Sequence, residues 1–399
     1  MQLSKRPVVY TLPSYSLTSD LLGFLRCGLQ YRYTRIGNLP STRPVQAWFG
    51  QFIHGVLEES YRRFDESRKR GERDLPPWSD EAISEICDLI KKRLAAQQLF
   101  PWGADLEELG NARARVAVNE LGPQLFPLIH RAEVRLTGAR PLPLDRIPEK
   151  YRFREADRYE MMGVIDVVTN VQLYDPDLWG NLLVKELLTD FKARSLRPPN
   201  EFEVILDYKG MRRPSLKPVD PNKPSFWDIY GWQAQTYAHL RQAQEDSLPV
   251  VAGAIVYLNE LLPTRGDLRR LREEIARGET DVVPAKGGEA ERILREWKGR
   301  KDEPIPTLPF EFRLKRALRL LPVTEETIVH ALQEFDNAVA RIEVCRGKEL
   351  QHGKVLSTWE KNAEDESTCT ACDARTFCPS YTAESEPKLP LVKDGVKIE

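Results

Sequence analysis

No apolar run in this 399-residue chain approaches the ~18–20 residues that a membrane-spanning helix needs. Nothing from Met1 to Leu12 resembles a signal-peptide core, so the expected location is cytoplasmic, with no membrane partner. An excess of one charge is missing as well: 59 Lys and Arg stand against 60 Asp and Glu. Bulk charge therefore announces no nucleic-acid partner, and any such surface has to be a local groove. The chain lacks a Gly-x4-Gly-Lys-Ser/Thr run, which excludes a P-loop motor of its own. Internal repeats and low-complexity tracts are absent too. What remains is a soluble globular composition, 41% hydrophobic and 30% charged. That charge fraction exceeds the ~25% usual for such domains and predicts a surface rich in ion pairs. Length alone gives a prior of two to three domains.

The six cysteines are unevenly placed. Cys369, Cys372 and Cys378 share the segment CTACDARTFCPSY, spaced C-x2-C-x5-C. In a reducing compartment this spacing reads as a metal or cluster site rather than as disulfides. Three thiolates are one short of the usual four, so a fourth ligand has to come from elsewhere in the sequence or be of another type. Cys87 (in EAISEICDLIKKRL) and Cys345 (in ALQEFDNAVARIEVC) continue apolar helical faces and read as small buried hydrophobes. Cys27 follows the apolar stretch SLTSDLLGFLRC, and spacing alone does not separate a ligand from a buried thiol there.

Residues 16–34 and 46–64 read as helices, the second from the spacing of Trp48, Phe52, Ile53, Val56, Leu57 and Tyr61. Further helices follow to about residue 127. The period then changes to β-branched, partly alternating runs at 131–138, 158–171, 201–210 and 249–259. Ser225 and Asp228 open a helix through SFWDIYGWQAQTYAHL as a capping box. Proline clusters at 141–148, 212–224 and 304–309 mark loops, residues 264–303 read as charged helical pieces, and 324–346 as an amphipathic helix. The tail after Pro379 is polar and reads as loose. The expected class is α/β with a central sheet. Its segments are a helical region at 1–127, a sheet-and-helix core at 128–262, a charged accessory region at 263–345 and a cysteine-bearing end at 346–399.

Two segments carry Asp-x-Lys: Asp190-Phe191-Lys192 and Asp207-Tyr208-Lys209. In a strand, residues i and i+2 share a face, so Asp207 and Lys209 in EFEVILDYKG would project together. The Leu-rich surroundings of Asp190 have helical spacing, which sends Asp190 and Lys192 to opposite sides. The expected pair is Asp207 and Lys209, with a short strand through LLTDFKA as the alternative. Upstream, GVIDVV places Asp166 in an apolar strand, where a carboxylate is costly unless paired, hydrated or bound to metal. Carboxylates on neighbouring strands can hold Mg²⁺, and a lysine beside them can orient water.

GVIDVV followed by VILDYKG resembles the PD-(D/E)XK nucleases, in particular their RecB-like branch. FGQFIHGVLEE adds a Gly-x3-His helix motif (Gly50, His54), one turn apart, with Gly50 expected to leave room beside the imidazole. WQAQTYAHL adds Gln-x3-Tyr (Gln233, Tyr237), and the order His, Asp, Asp-x-Lys, Gln-x3-Tyr is also that of the family. The cysteines resemble those of its iron–sulfur subgroup, which includes AddB-type nuclease domains and CRISPR-associated adaptation exonucleases. The resemblance implies a restriction-endonuclease-like fold, a central mixed β-sheet flanked by helices with an N-terminal helical region and a C-terminal iron–sulfur segment. It implies a 4Fe-4S cluster on Cys27, Cys369, Cys372 and Cys378. It implies Mg²⁺ or Mn²⁺ on His54, Asp166, Asp207 and the carbonyl of Tyr208, with Lys209 positioning water and Gln233 and Tyr237 holding the site or the DNA. The interval of 41 residues from Asp166 to Asp207 exceeds the usual hairpin, so 172–200 has to be an insertion. Glu133, on the preceding strand, is a further candidate for shaping the site.

The expected function is a metal-dependent DNA nuclease, acting on single-stranded DNA or DNA ends in repair, recombination or defence, alone or beside a helicase or another repair or defence protein. The basic run 209–217 and Arg194 and Arg197 are candidate backbone contacts, or plain solvated loop charge. The reading from another class is a non-catalytic nucleic-acid-binding adaptor with an iron–sulfur cluster or zinc.

Overall fold

The computed structural model describes residues 12–39, 46–72, 74–217, 225–362 and 366–378. The tail after Pro379 and the prolines of 218–224 lie outside the described residues. Seven strands form one mixed sheet: β1 (Ser14–Ser16), β2 (Ile129–Pro141), β3 (Arg158–Thr169), β4 (Val171–Gln172), β5 (Glu201–Lys209), β6 (Val250–Tyr257) and β7 (Leu318–Pro322). The order is β1-β3-β5-β6-β7, with β2 on β3 and β4 on β5. Strands β5 and β6 run parallel, while β3 and β7 are antiparallel to their neighbours β5 and β6. This is the α/β, restriction-endonuclease-like architecture expected from the sequence. Among the described residues no helix is long and apolar enough to cross a membrane.

The chain divides into two units, neither continuous in sequence: residues 1–42, 138–162 and 332–399, and residues 43–137 with 163–331. In the first unit, β1 pairs parallel with the start of β3, Ser14 opposite Glu160 and Ser16 opposite Met162. The single helix expected over 16–34 is instead this short strand, a π-helical turn (Leu17–Leu21), and two short helices (Leu22–Arg26, Gly28–Tyr31) interrupted at Cys27. Cys27 has extended backbone, φ −163° and ψ 109°, which the apolar spacing of the stretch did not signal. Buried ion pairs tie the unit to the end of the Glu325–His352 helix. Glu343 accepts hydrogen bonds from Tyr15 and, at 2.6 Å, from Arg154 Nε. Arg32 lies bidentate on Glu349 at 2.7 and 2.6 Å. Gly347 is required there, because a Cβ would fall 2.1 Å from the carbonyl oxygen of Tyr151.

In the second unit the helices Gln46–Lys69, Asp80–Ala96 and Ala104–Val116 bury Trp48, Phe52, Ile53, Ile86 and Ala114 in a core shared with Val167, Leu206 and Ala254 of the sheet. The Phe226–Gln242 helix starts where its sequence says, with Ser225 Oγ accepting from the Asp228 amide at 3.2 Å. It packs on β5 and β6 so closely that a Cβ on Gly253 would meet Ala234 Cβ at 2.6 Å. Residues 172–200 contain the helix Leu182–Ala193, and residues 265–312 build a small separate core around Leu268, Leu271, Leu294, Trp297 and Phe312.

Candidate metal-dependent hydrolytic site

Two adjacent antiparallel strands and two helices of the second unit converge on one cluster. On β3, Gly163 and Asp166 lie in an otherwise apolar strand; on β5, Asp207 and Lys209 share one face, as the two-residue strand period requires. Asp166 Oδ2 accepts the amide N–H of Tyr208 at 2.7 Å. His54, from the Gln46–Lys69 helix, brings Nδ1 to 3.6 Å from the same oxygen, its ring edge-on to Tyr208 at 5.5 Å. Asp207 Oδ1 accepts from Gln233 Nε2 at 2.9 Å, while Lys209 Nζ lies 2.5 Å from Oδ2 as an ion pair. That Oδ2 is buried, and its charge is met by the ammonium rather than by an aligned hydrogen bond. Lys209 Nζ also donates to Gln233 Oε1 at 3.0 Å, and Gln233 Nε2 reaches Tyr237 Oη at 3.3 Å. Gln233 thus touches Asp207, Lys209 and Tyr237 at once, which fixes which way its amide points.

The electrostatics are those of a crowded acidic pocket. Burial, and then the Asp207 charge, push the Asp166 carboxyl up to about 7. Glu133, from β2, is also pushed up to about 7, by desolvation and then by Asp166. Burial lowers the pKa of His54 although Asp207 opposes it, which keeps the imidazole neutral and able to act as a ligand. Two carboxylates on neighbouring strands beside a neutral histidine make an oxygen-rich donor set that suits Mg²⁺ or Mn²⁺. Among the described residues, no group of three or more His, Cys, Asp or Glu is drawn together tightly enough to hold a metal as it stands.

A family model for the PD-(D/E)XK nuclease superfamily matches residues 18–173. Over that span the chain is similar to the superfamily. A comparison with curated proteins finds no match. The matched span includes Gly50, His54 and Asp166 and ends before Asp207. The placement of Asp207, Lys209, Gln233 and Tyr237 therefore rests on the geometry above. Asp190 and Lys192 lie elsewhere, on the Leu182–Ala193 helix, where Asp190 pairs with Arg194 one turn on at 2.8 Å.

One expectation about the nuclease fold needs correction. Gly50 does not make room for the imidazole; a Cβ there would point into open space. Its backbone is instead approached by Gly210, whose own Cβ would sit 3.3 Å from Gly50 Cα. Three site features had gone unread in the sequence. Lys209 Nζ rests 4.7 Å from the centre of the Tyr230 ring. A Cβ on Gly163 would press to 2.8 Å from Tyr237 Cε1, so that glycine gives the tyrosine its place. Arg241 clamps Glu203 bidentately. Signals for two of them existed: a glycine inside a strand marks close approach, and Tyr230, Gln233, Tyr237 and Arg241 recur at helical spacing.

In the first unit, Cys27, Cys369, Cys372 and Cys378 line one pocket together with Tyr33 and Arg375, enclosing about 360 Å³ of empty space open to solvent. Cys87 and Cys345 are buried, and burial raises both thiols to about 11.

Proposed function

We propose that this PD-(D/E)XK chain is a Mg²⁺- or Mn²⁺-dependent deoxyribonuclease acting on single-stranded DNA or DNA ends. The observation that carries the reading is that half-buried Asp166 and buried Asp207 act on one another from neighbouring strands, with the Lys209 ammonium on Asp207 Oδ2. Such a pair is costly unless a cation offsets it. His54, Asp166, Asp207 and the Tyr208 carbonyl would hold the ion. When bound, it would stabilise charge on the phosphate and acidify a coordinated water. Lys209, its ammonium held between Asp207 and Gln233, would position the attacking water. Gln233 and Tyr237 fix Lys209 and Asp207 so that no reorganisation is needed during the reaction. Glu133 is near enough for its carboxyl to interact with Asp166, His54 and Asp207. Repair, recombination or defence, alone or beside a helicase, is the setting this activity fits.

The test is hydrolysis of labelled single-stranded and duplex oligonucleotides with Mg²⁺ or Mn²⁺ against chelator. Cleavage abolished by chelator is expected. Binding without cleavage under either metal would overturn the reading in favour of an adaptor.

We also infer that Cys27, Cys369, Cys372 and Cys378 hold a 4Fe-4S cluster. Support comes from four thiols from the two ends of the chain lining one pocket, a donor set that suits such a cluster. The cluster would close a loop of more than three hundred residues and act structurally. Brown protein with iron and sulfide in equal amounts is expected; colourless protein with stoichiometric zinc overturns it.

A further inference from the structure

Phe226 is the first residue of its helix and keeps 53% of its surface exposed. Its ring stacks on Tyr230, centroids 5.7 Å apart and planes 23° apart. Tyr230 is buried and carries Lys209 Nζ 4.7 Å from its ring centre, and the same ammonium lies 2.5 Å from Asp207 Oδ2. Ring, ring and ammonium therefore run continuously from solvent to the acidic pair. The next residue is a contrast. Trp227 is engaged on its edge and its face, donating from Nε1 to the Ser215 carbonyl at 2.9 Å and lying 3.7 Å under the Arg319 guanidinium. An aromatic pair one turn apart steadies a helix, which accounts for the contact of Phe226 with Tyr230. It leaves the open surface of Phe226 unaccounted for, two contacts away from the acidic pair.

We propose that Phe226 is a stacking platform for an unpaired nucleobase adjoining the phosphate held at Asp166 and Asp207. The substrate is then single-stranded at that point, because a base inside a duplex has both faces covered by its neighbours. Aromatic stacking tolerates any base, so the platform sets strandedness without setting sequence. The Lys209–Tyr230 contact couples the platform to the reacting end: a base on Phe226 places its own phosphate beside the ammonium. This inference rests on the nuclease reading and names the substrate class of the same site.

The experiment measures binding apart from cleavage. Phe226→Ala and Phe226→Trp are compared with the parent in an Asp207→Asn background, by fluorescence anisotropy on a single-stranded oligonucleotide, on its duplex, and on single strands carrying one abasic position at each place in turn. Phe226→Ala is expected to weaken single-strand binding about fivefold or more. Phe226→Trp should restore it, and duplex binding should stay unchanged. One abasic position should weaken the parent by the same factor and cost the alanine variant nothing further. Equal single-strand binding by Phe226→Ala, an equal loss on duplex, or an abasic scan with no sensitive position would overturn the proposal. Single-strand binding through Phe226 by a protein that cleaves no DNA in its wild-type form would keep this inference and overturn the nuclease reading instead.

Discussion

Arg241 lies bidentate on Glu203, Nε to Oε2 at 2.8 Å and Nη2 to Oε1 at 2.7 Å, with both side chains completely buried. The pair joins the Phe226–Gln242 helix to β5 one turn beyond Tyr237 and four residues before Asp207. It sets the register in which Gln233 meets Asp207. Removing one partner strands a buried charge, at a cost of ~3–5 kcal/mol, whereas removing both into apolar groups is far milder. Chemical denaturation should therefore find Arg241→Met strongly destabilised and the Arg241→Met/Glu203→Met double variant close to the parent. Equal destabilisation of the two would count against the clamp.

Asp207 and Asp190 give a direct contrast. Asp207→Asn should reduce metal-dependent cleavage by at least about a hundredfold, the scale of losing one preorganised charge in such a site. Asp190→Asn, which breaks only an exposed pair with Arg194 on a helix, should leave the rate within about twofold. Initial rates on one labelled oligonucleotide decide the matter, and the reverse order would move the site to Lys192.

Gly163→Ala probes the site without touching a polar atom. The added methyl would meet the Tyr237 ring at 2.8 Å, and overpacking of this kind costs ~1–3 kcal/mol. The displaced Tyr237 should loosen Gln233, so kcat should fall while circular dichroism stays native. Gly163→Ala/Tyr237→Leu should regain thermal stability without regaining rate. A single variant as active as the parent would show that Tyr237 does not hold Gln233.

The acidic pair also predicts a pH dependence for the metal-free protein. Asp166 and Glu133 titrate near 7 in the fold against ~3.9 and ~4.3 for the free side chains. Between those limits the folded chain binds more protons than the unfolded one, so stability falls as pH rises through this window and levels off above about 7. In chelator, Tm should drop from pH 4.5 to 7.5, and Mn²⁺ at pH 7.5 should restore it. Asp166→Asn should make the profile shallower, leaving the part due to Glu133, and abolish the Mn²⁺ effect. A flat profile in the parent would contradict the crowding of these carboxylates.

The strand and helix positions of the site were legible because their signals are local. The two-residue period put Asp207 and Lys209 on one face, and leucine spacing put Asp190 on a helix, as it is. Capping chemistry placed the start of the Phe226–Gln242 helix at Ser225. Strands β1 and β7 went unread, since three and five residues are too few for a period to register, and only pairing with β3 and β6 makes them strands. The role of Gly50 was misread for a related reason: a glycine's use depends on what approaches it, here Gly210 from the end of β5.

The sequence by itself determined the order of elements, the apolar faces and the residue types that meet at the acidic site, because periodicity, capping and side-chain chemistry act over a few residues. Which acidic residues share a pocket was decided by the tertiary structure. Pairing β3 with β5, and laying the Phe226–Gln242 helix across β5 and β6, brought residues from 54 to 237 within hydrogen-bonding reach. The same folding raised Asp166 toward neutrality, since desolvation and a neighbouring charge are properties of a place and not of a residue.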